Sequence, residues 1–111
     1  MIVQKGSKYM SVIVVTNENF EAVKNSDKPV LLDFFADWCG PCRMVAPLVE
    51  QIANECPQYV VGKVNVDNSP EIAQQFGVMS IPTLVVLKGG VEAKRTVGFK
   101  PKAQLLAMLE G

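Results

Sequence analysis

Apolar residues along this chain fall into short runs that alternate with segments of helical spacing. The runs are rich in β-branched residues and predict strands at 11–15, 30–36, 59–66, 83–88 and 91–97. The second run is almost continuously apolar, which is typical of a central strand covered on both faces. Gly89 and Gly90 separate the last two runs and predict a hairpin turn.

Helices are predicted between and after these strands. The first carries Phe20 and Val23 and has Thr16 or Asn17 as its cap. The others run from Cys42 to about Cys56, from Ser69 and Pro70 to near Gly77, and from Pro101 onward. This element order, β-α-β-α-β-α-β-β-α, predicts an α/β domain over residues 11–111 with a mixed sheet and helices on both faces. Residues 1–10 are interpreted as an N-terminal extension.

Composition narrows the classes of function. The chain has 111 residues, enough for one domain with its own core. It carries 11 basic and 11 acidic residues, so neither nucleic acid nor an anionic membrane is expected as a partner. The absence of histidine excludes Ser-His and Cys-His nucleophiles. No apolar run approaches the roughly 20 residues of a membrane span, and residues 1–10 lack a secretory signal, so a cytoplasmic location is expected.

Two of the three cysteines, Cys39 and Cys42, lie three positions apart where a strand ends and a helix begins. Unpaired backbone N–H groups and the helix dipole stabilise a thiolate at such a position. Cys42 lies one helical turn further in, on the same face, and should be less exposed. The pattern therefore predicts an attacking thiol at Cys39 and a resolving thiol at Cys42. Gly40 and Pro41 form the bridge between them, and Pro41 suits the first helical turn and stiffens it.

The pair also allows two other interpretations, a structural disulfide and a zinc site. A structural disulfide between residues three apart closes a tiny loop and stabilises little. A zinc site needs further ligands, and the chain offers no histidine and only Cys56 as another thiol. Cys56 itself is interpreted as a small apolar filler near a helix end, with a regulatory or dimer-forming thiol as the alternative.

Over residues 11–110 the chain resembles the thioredoxin family. The resemblance rests on residues 33–42, Pro47, 63–67, 81–83 and Gly98. It implies a thioredoxin fold, a five-stranded mixed sheet flanked by four helices, in agreement with the element order above. The Gly-Pro bridge separates thioredoxins from disulfide isomerases and glutaredoxins. The chain departs from the common pattern at Phe35, where tryptophan is frequent, and at Met79-Ser80, where glycine often precedes Ile-Pro.

The resemblance also implies roles for individual residues. Asp33 is a charge within an apolar strand, and on the sequence alone it could face water or lie buried. The resemblance places it beneath the cysteines as the group that takes the proton from Cys42, with Lys63 as its partner. It further implies a cis bond before Pro82 and a backbone at Ile81 that pairs with an extended client segment.

The function implied is that of a thiol–disulfide oxidoreductase, a general protein disulfide reductase. No bound cofactor or metal is expected. The partners implied are disulfide-containing client proteins and a thioredoxin reductase, with the chain acting as a monomer. Trp38 is interpreted as a partly exposed docking surface, with core packing as the alternative. Two rival functions stay open: a redox-independent scaffold subunit, and an oxidant or isomerase, against which the Gly-Pro bridge argues.

Overall fold

The computed structural model describes residues 12–111, and these contain one sheet of five strands in the order β1-β3-β2-β4-β5. The strands are β1 (Val12–Val14), β2 (Val30–Phe35), β3 (Val60–Asn65), β4 (Thr83–Lys88) and β5 (Val91–Val97). β1, β3 and β2 are parallel, whereas β4 is antiparallel to β2 and β5 to β4. The predicted mixed sheet is confirmed, and each strand lies within its predicted run. The predicted extension at 1–10 lies outside the described residues.

Four helices occur in this part of the chain: α1 (Phe20–Lys24), α2 (Gly40–Glu55), α3 (Pro70–Gln75) and α4 (Lys102–Glu110). α2 begins at Gly40, earlier than the predicted start at Cys42. The earlier start is possible because Pro41 lies in the first turn, where a backbone N–H has no helical partner to lose. Between residues 12 and 111, no helix has the length and apolar character needed to cross a membrane.

The residue before α1 is Asn19, so the prediction of Thr16 or Asn17 as its cap is wrong. The side chain of Asn19 makes no cap bond to the helix. Instead its Oδ1 accepts from the Thr16 N–H at 2.8 Å, and its Nδ2 donates to the Val14 carbonyl at 2.9 Å. Asn19 therefore stabilises the connection between β1 and α1. Ser69 occupies its predicted place before α3, again without a side-chain cap bond.

β2 separates two apolar cores because its side chains alternate between the faces of the sheet. On one face, Leu32 and Phe34 belong to a cluster that includes residues of α1 and α3. On the other, Leu31 packs with residues of α2 and α4. Asp33 shares the sheet face of Leu31, and the fold therefore directs this carboxyl toward α2, which carries the cysteines.

Gly62 in β3 marks a close approach between the sheet and the segment after β1. A Cβ added there would lie 2.7 Å from Val15 Cγ2 and 3.3 Å from Leu32 Cδ2. Both neighbours are buried, and the β-branched Val15 has little rotamer freedom with which to move away. We therefore expect Gly62→Ala to lower the free energy of unfolding by about 1–3 kcal/mol, the usual cost of overpacking.

Urea denaturation measures this loss, and Gly40→Ala is the matched control. No atom lies within 4 Å of a Cβ added at Gly40, so we expect the control to change the unfolding free energy by no more than about 0.5 kcal/mol. Equal losses in the two variants would contradict the steric explanation at Gly62.

Candidate active site

Cys39 and Cys42 form a disulfide at the junction of β2 and α2, with their Cα atoms 5.3 Å apart. Cys39 is the N-cap residue of α2 and has an extended backbone. Its Sγ accepts a hydrogen bond from the Cys42 backbone N–H at 3.2 Å. The sulfur thus occupies the position in which a serine or aspartate oxygen usually caps a helix. The predicted placement of Cys39 at the start of the helix is confirmed.

The two sulfur-bearing residues are almost equally buried in this disulfide form. Cys39 is 4% exposed and Cys42 is 3% exposed. The exposure of the two residues therefore differs far less than predicted. Both pack with Ala36, and the half-buried Phe35 and Ile81 lie against this small cluster. Position on the helix and proximity to Asp33, rather than exposure, distinguish the two cysteines.

Asp33 is buried beneath the cysteines, with 3% of its surface exposed, and the alternative that it faces water is wrong. Its Oδ1 has no hydrogen-bond partner among the described residues. Burial raises the pKa of the Asp33 carboxyl from 3.8 to about 7, although the positive charge of Lys63 opposes this rise. Asp33 and Cys42 line one cavity of about 170 Å³. A carboxyl with a pKa near neutrality beside Cys42 can exchange protons at working pH.

Lys63 lies directly beside Asp33, since the two are register partners in β3 and β2. It lines the same cavity, and its Nζ lies 5.8 Å from the centroid of the Phe35 ring. Among the described residues Lys63 forms no ion pair within 4 Å. The positive charge of Lys63 therefore lowers the pKa of the Asp33 carboxyl, but by less than burial raises it.

Trp38 directly precedes Cys39 in the chain, and Ile81 packs against the two cysteines. Trp38 is 68% exposed, so its predicted exposure is confirmed and core packing is wrong. The peptide bond between Ile81 and Pro82 is cis. In residues 12–111 the backbone N–H and C=O of Ile81 have no backbone partner. The Pro82 carbonyl accepts from the Gly98 N–H at 2.8 Å, which ties this loop to the end of β5.

Asp67 also belongs to the site, although no role was predicted for it. The Trp38 Nε1–H donates to Asp67 Oδ2 at 2.9 Å and so fixes the exposed indole. A signal was available, because parallel strands end at the same edge of a sheet and Asp67 follows β3 as Trp38 follows β2.

Cys56 lies away from this site, at the C-terminal end of α2. It is half-buried and packs against the apolar cluster shared by α2 and α4. This placement agrees with its interpretation as a small apolar filler.

Comparison with known proteins gives the same answer as the geometry. The family model described as Thioredoxin matches residues 11–111. A thioredoxin from Alicyclobacillus acidocaldarius is 49% identical over 100 residues, 89% of this chain and 95% of that protein. A bifunctional thioredoxin reductase/thioredoxin from Mycobacterium leprae is 54% identical over 96 residues, 85% of this chain and 21% of that protein. A mutant thioredoxin from Halobacterium salinarum superposes with a TM-score of 0.84 at 34% identity, covering 89% of this chain and 88% of that one.

A cysteine pair at the N-terminus of a helix, on a five-stranded mixed sheet of this order, defines a thiol–disulfide oxidoreductase with the thioredoxin fold. The chain belongs to the thioredoxin family. The predicted fold, family and general activity are therefore confirmed, and the Cys39–Cys42 disulfide is consistent with the redox motif of this class.

Proposed function

We propose that Cys39 is the attacking thiol and Cys42 the resolving thiol in the reduction of client protein disulfides. The hydrogen bond from the Cys42 N–H to Cys39 Sγ carries this assignment. An N–H that already points at the sulfur stabilises a negative charge there, and the positive end of the α2 dipole adds to it. Cys42 lies inside the first turn, and its own sulfur has no such donor in this part of the chain.

The reaction proceeds in two exchanges. The Cys39 thiolate attacks one sulfur of the client disulfide, forms a mixed disulfide and releases the first client thiolate. The Cys42 thiolate then attacks the Cys39 sulfur, which forms the intramolecular disulfide and releases the second client thiolate. The client gains two electrons and the cysteine pair loses two. Asp33 takes the proton that Cys42 must lose before its attack, either directly or through water.

Asp33→Asn tests the proton step. The resolving step of the wild-type protein should accelerate as pH rises through about 7, because Asp33 then becomes an ionised acceptor. The variant lacks this acceptor, so its resolving step should follow only the ionisation of the thiol itself. We expect a loss of about a hundredfold near pH 7, at the lower end of general-base contributions. Rapid quenching of a preformed mixed disulfide at Cys39 measures this step.

Asp27→Asn is the control, since Asp27 is an exposed carboxylate in the loop before β2. It should leave the pH profile unchanged. Superimposable profiles for the wild-type protein and Asp33→Asn would remove Asp33 from the proton step.

Disulfide reduction requires client proteins and a partner that reduces the cysteine pair again. We propose that disulfide-containing proteins are the clients and that a thioredoxin reductase restores the dithiol, as the domain pairing in the Mycobacterium leprae relative suggests. A reductase needs a compartment that keeps its own thiols reduced, which favours the cytoplasm. The site is complete within one chain, which supports action as a monomer.

A further inference from the structure

An edge groove lies between the last strand, β5, the segment that follows it and α4. Its volume is about 430 Å³, and it is lined by Lys94, Arg95, Thr96, Lys100, Gln104 and Met108. None of these lining residues is acidic. β4 separates β5 from β2, the strand that leads to the cysteines. The edge groove is therefore separate from the active site.

Lys94 and Lys100 carry the unpaired charges of the edge groove. In the part of the chain that the structure describes, neither lysine has a carboxylate within 4 Å, the C-terminal one included. Lys94 Nζ lies near Gly111, where the end of α4 attracts a cation but does not neutralise it. Arg95, by contrast, is paired, since its Nε donates to Glu92 Oε2 at 2.8 Å and its Nη2 to Glu92 Oε1 at 2.9 Å. The two lysines therefore favour an anionic ligand in the edge groove.

The groove also borders a free edge of the sheet. β5 pairs with β4 alone, and among residues 12–111 its outward backbone N–H and C=O groups have no backbone partner. Ala93 has no partner in β4 and forms a β-bulge, so the regular part of the free edge is 94–97. This part lines the edge groove. A free strand edge is a template for pairing with another extended segment.

We propose that the edge groove binds an extended acidic segment of a partner protein, which pairs with residues 94–97 as a sixth strand. The backbone of the segment bonds to the free groups of β5, and its carboxylates lie beside Lys94 and Lys100. A second copy of β5 fits the groove poorly, because it adds the positive charge of its own Lys94. The proposal goes beyond disulfide reduction, since neither sulfur takes part in this binding.

The faces of β5 indicate the sequence pattern of the partner segment. Lys94 pairs with Val86, whose side chain packs on the sheet face that α4 covers. Side chains of a strand return to the same face at every second residue, roughly 7 Å apart. Acidic residues at alternate positions can therefore all lie on the face of Lys94, whereas half of a consecutive acidic run points away from it.

Four end-capped, fluorescently labelled peptides of the same length test this proposal. The first alternates Glu with Thr, and the second has Lys in place of each Glu. The third has the composition of the first with its Glu residues consecutive, and the fourth replaces the central Thr of the first with Pro. Fluorescence anisotropy should show the oxidised protein binding the first peptide about tenfold more tightly than each of the others. The proline peptide keeps the charge but lacks a backbone donor that strand pairing needs.

Variants of the two lysines locate the binding. Lys94→Gln combined with Lys100→Gln should weaken binding of the first peptide about tenfold, the upper range for two exposed ion pairs. Lys24→Gln combined with Lys28→Gln is the matched control, because it removes the same charge in α1 and the loop after it, outside the groove. The control should retain the affinity, and both double variants should reduce insulin at the wild-type rate. Bound peptide should also slow hydrogen exchange of the outward amides within 94–97.

Several results would overturn the proposal. Equal binding of the alternating and proline peptides would show charge attraction without strand pairing, and equal binding of the lysine peptide would show that the charge does not select the partner. An unchanged affinity in the Lys94 and Lys100 double variant would place the peptide elsewhere. Tighter binding of a single-stranded oligonucleotide would assign the groove to phosphate, and a dimer that dissociates in Lys94→Gln, measured by sedimentation, would assign it to a second copy.

Discussion

Cys39→Ser should abolish the reduction of protein disulfides, whereas Cys42→Ser should keep the first attack and accumulate the mixed disulfide. A serine hydroxyl does not ionise near pH 7, so it cannot replace the thiolate that opens the client disulfide. Serine is also a preferred N-cap residue, so Cys39→Ser should keep α2 in place, and its loss of activity will report chemistry and not unfolding. In Cys42→Ser the attacker remains, but the group that releases the client is missing.

Insulin reduction followed by turbidity measures the first effect, and non-reducing gel electrophoresis with mass spectrometry measures the second. Cys56→Ser is the matched control, because Cys56 is the remaining thiol and packs at the far end of α2. It should retain activity and trap nothing. Reduction by Cys39→Ser at the wild-type rate, or trapping by Cys39→Ser in place of Cys42→Ser, would reverse the assignment of attacker and resolver.

Most of the fold could be predicted from local patterns. The continuous apolar run that became β2 and the Gly89-Gly90 turn between β4 and β5 each allow few other structures. Both glycines have positive φ, at 62° and 80°, as a tight hairpin turn requires. The start of α1 could not be predicted in this way. Thr16, Asn17 and Asn19 are all competent caps, and the outcome depends on a contact of Asn19 with β1.

In the site, too, some features could be predicted from neighbouring residues, whereas others depend on contacts between distant segments of the chain. The spacing of Cys39 and Cys42 at a strand-to-helix junction was sufficient to predict a sulfur at the helix N-terminus. The environment of Asp33 was not predictable from β2 alone, because its burial comes from α2, which covers it. The orientation of Trp38 depends on Asp67, 29 positions further along the chain. Contacts of this kind appear only once the parallel strands are placed side by side.

Asp33→Asn should also make the oxidised protein more stable at pH 8 and leave its stability almost unchanged near pH 4. The folded state raises the pKa of this carboxyl from 3.8 to about 7. Well below pH 3.8 the group is protonated in both the folded and unfolded states and contributes no difference. Between pH 4 and 7 the unfolded chain loses the proton while the folded chain keeps it, so stability falls as pH rises. Above pH 7 the full penalty is present, and the shift corresponds to about 4 kcal/mol.

Removal of the ionisable group removes this penalty, so the stability of the variant should lack the decline between pH 4 and 7. At pH 8 we expect Asp33→Asn to unfold at a free energy up to about 4 kcal/mol above that of the wild-type protein. Urea denaturation without reductant, repeated from pH 4 to pH 8, measures the difference, and Asp27→Asn again serves as the control. A gain of equal size at both ends of this range would reflect packing of the amide instead of ionisation. A gain that grows with pH would show that the same buried charge that suits Asp33 to accept a proton also destabilises the folded chain.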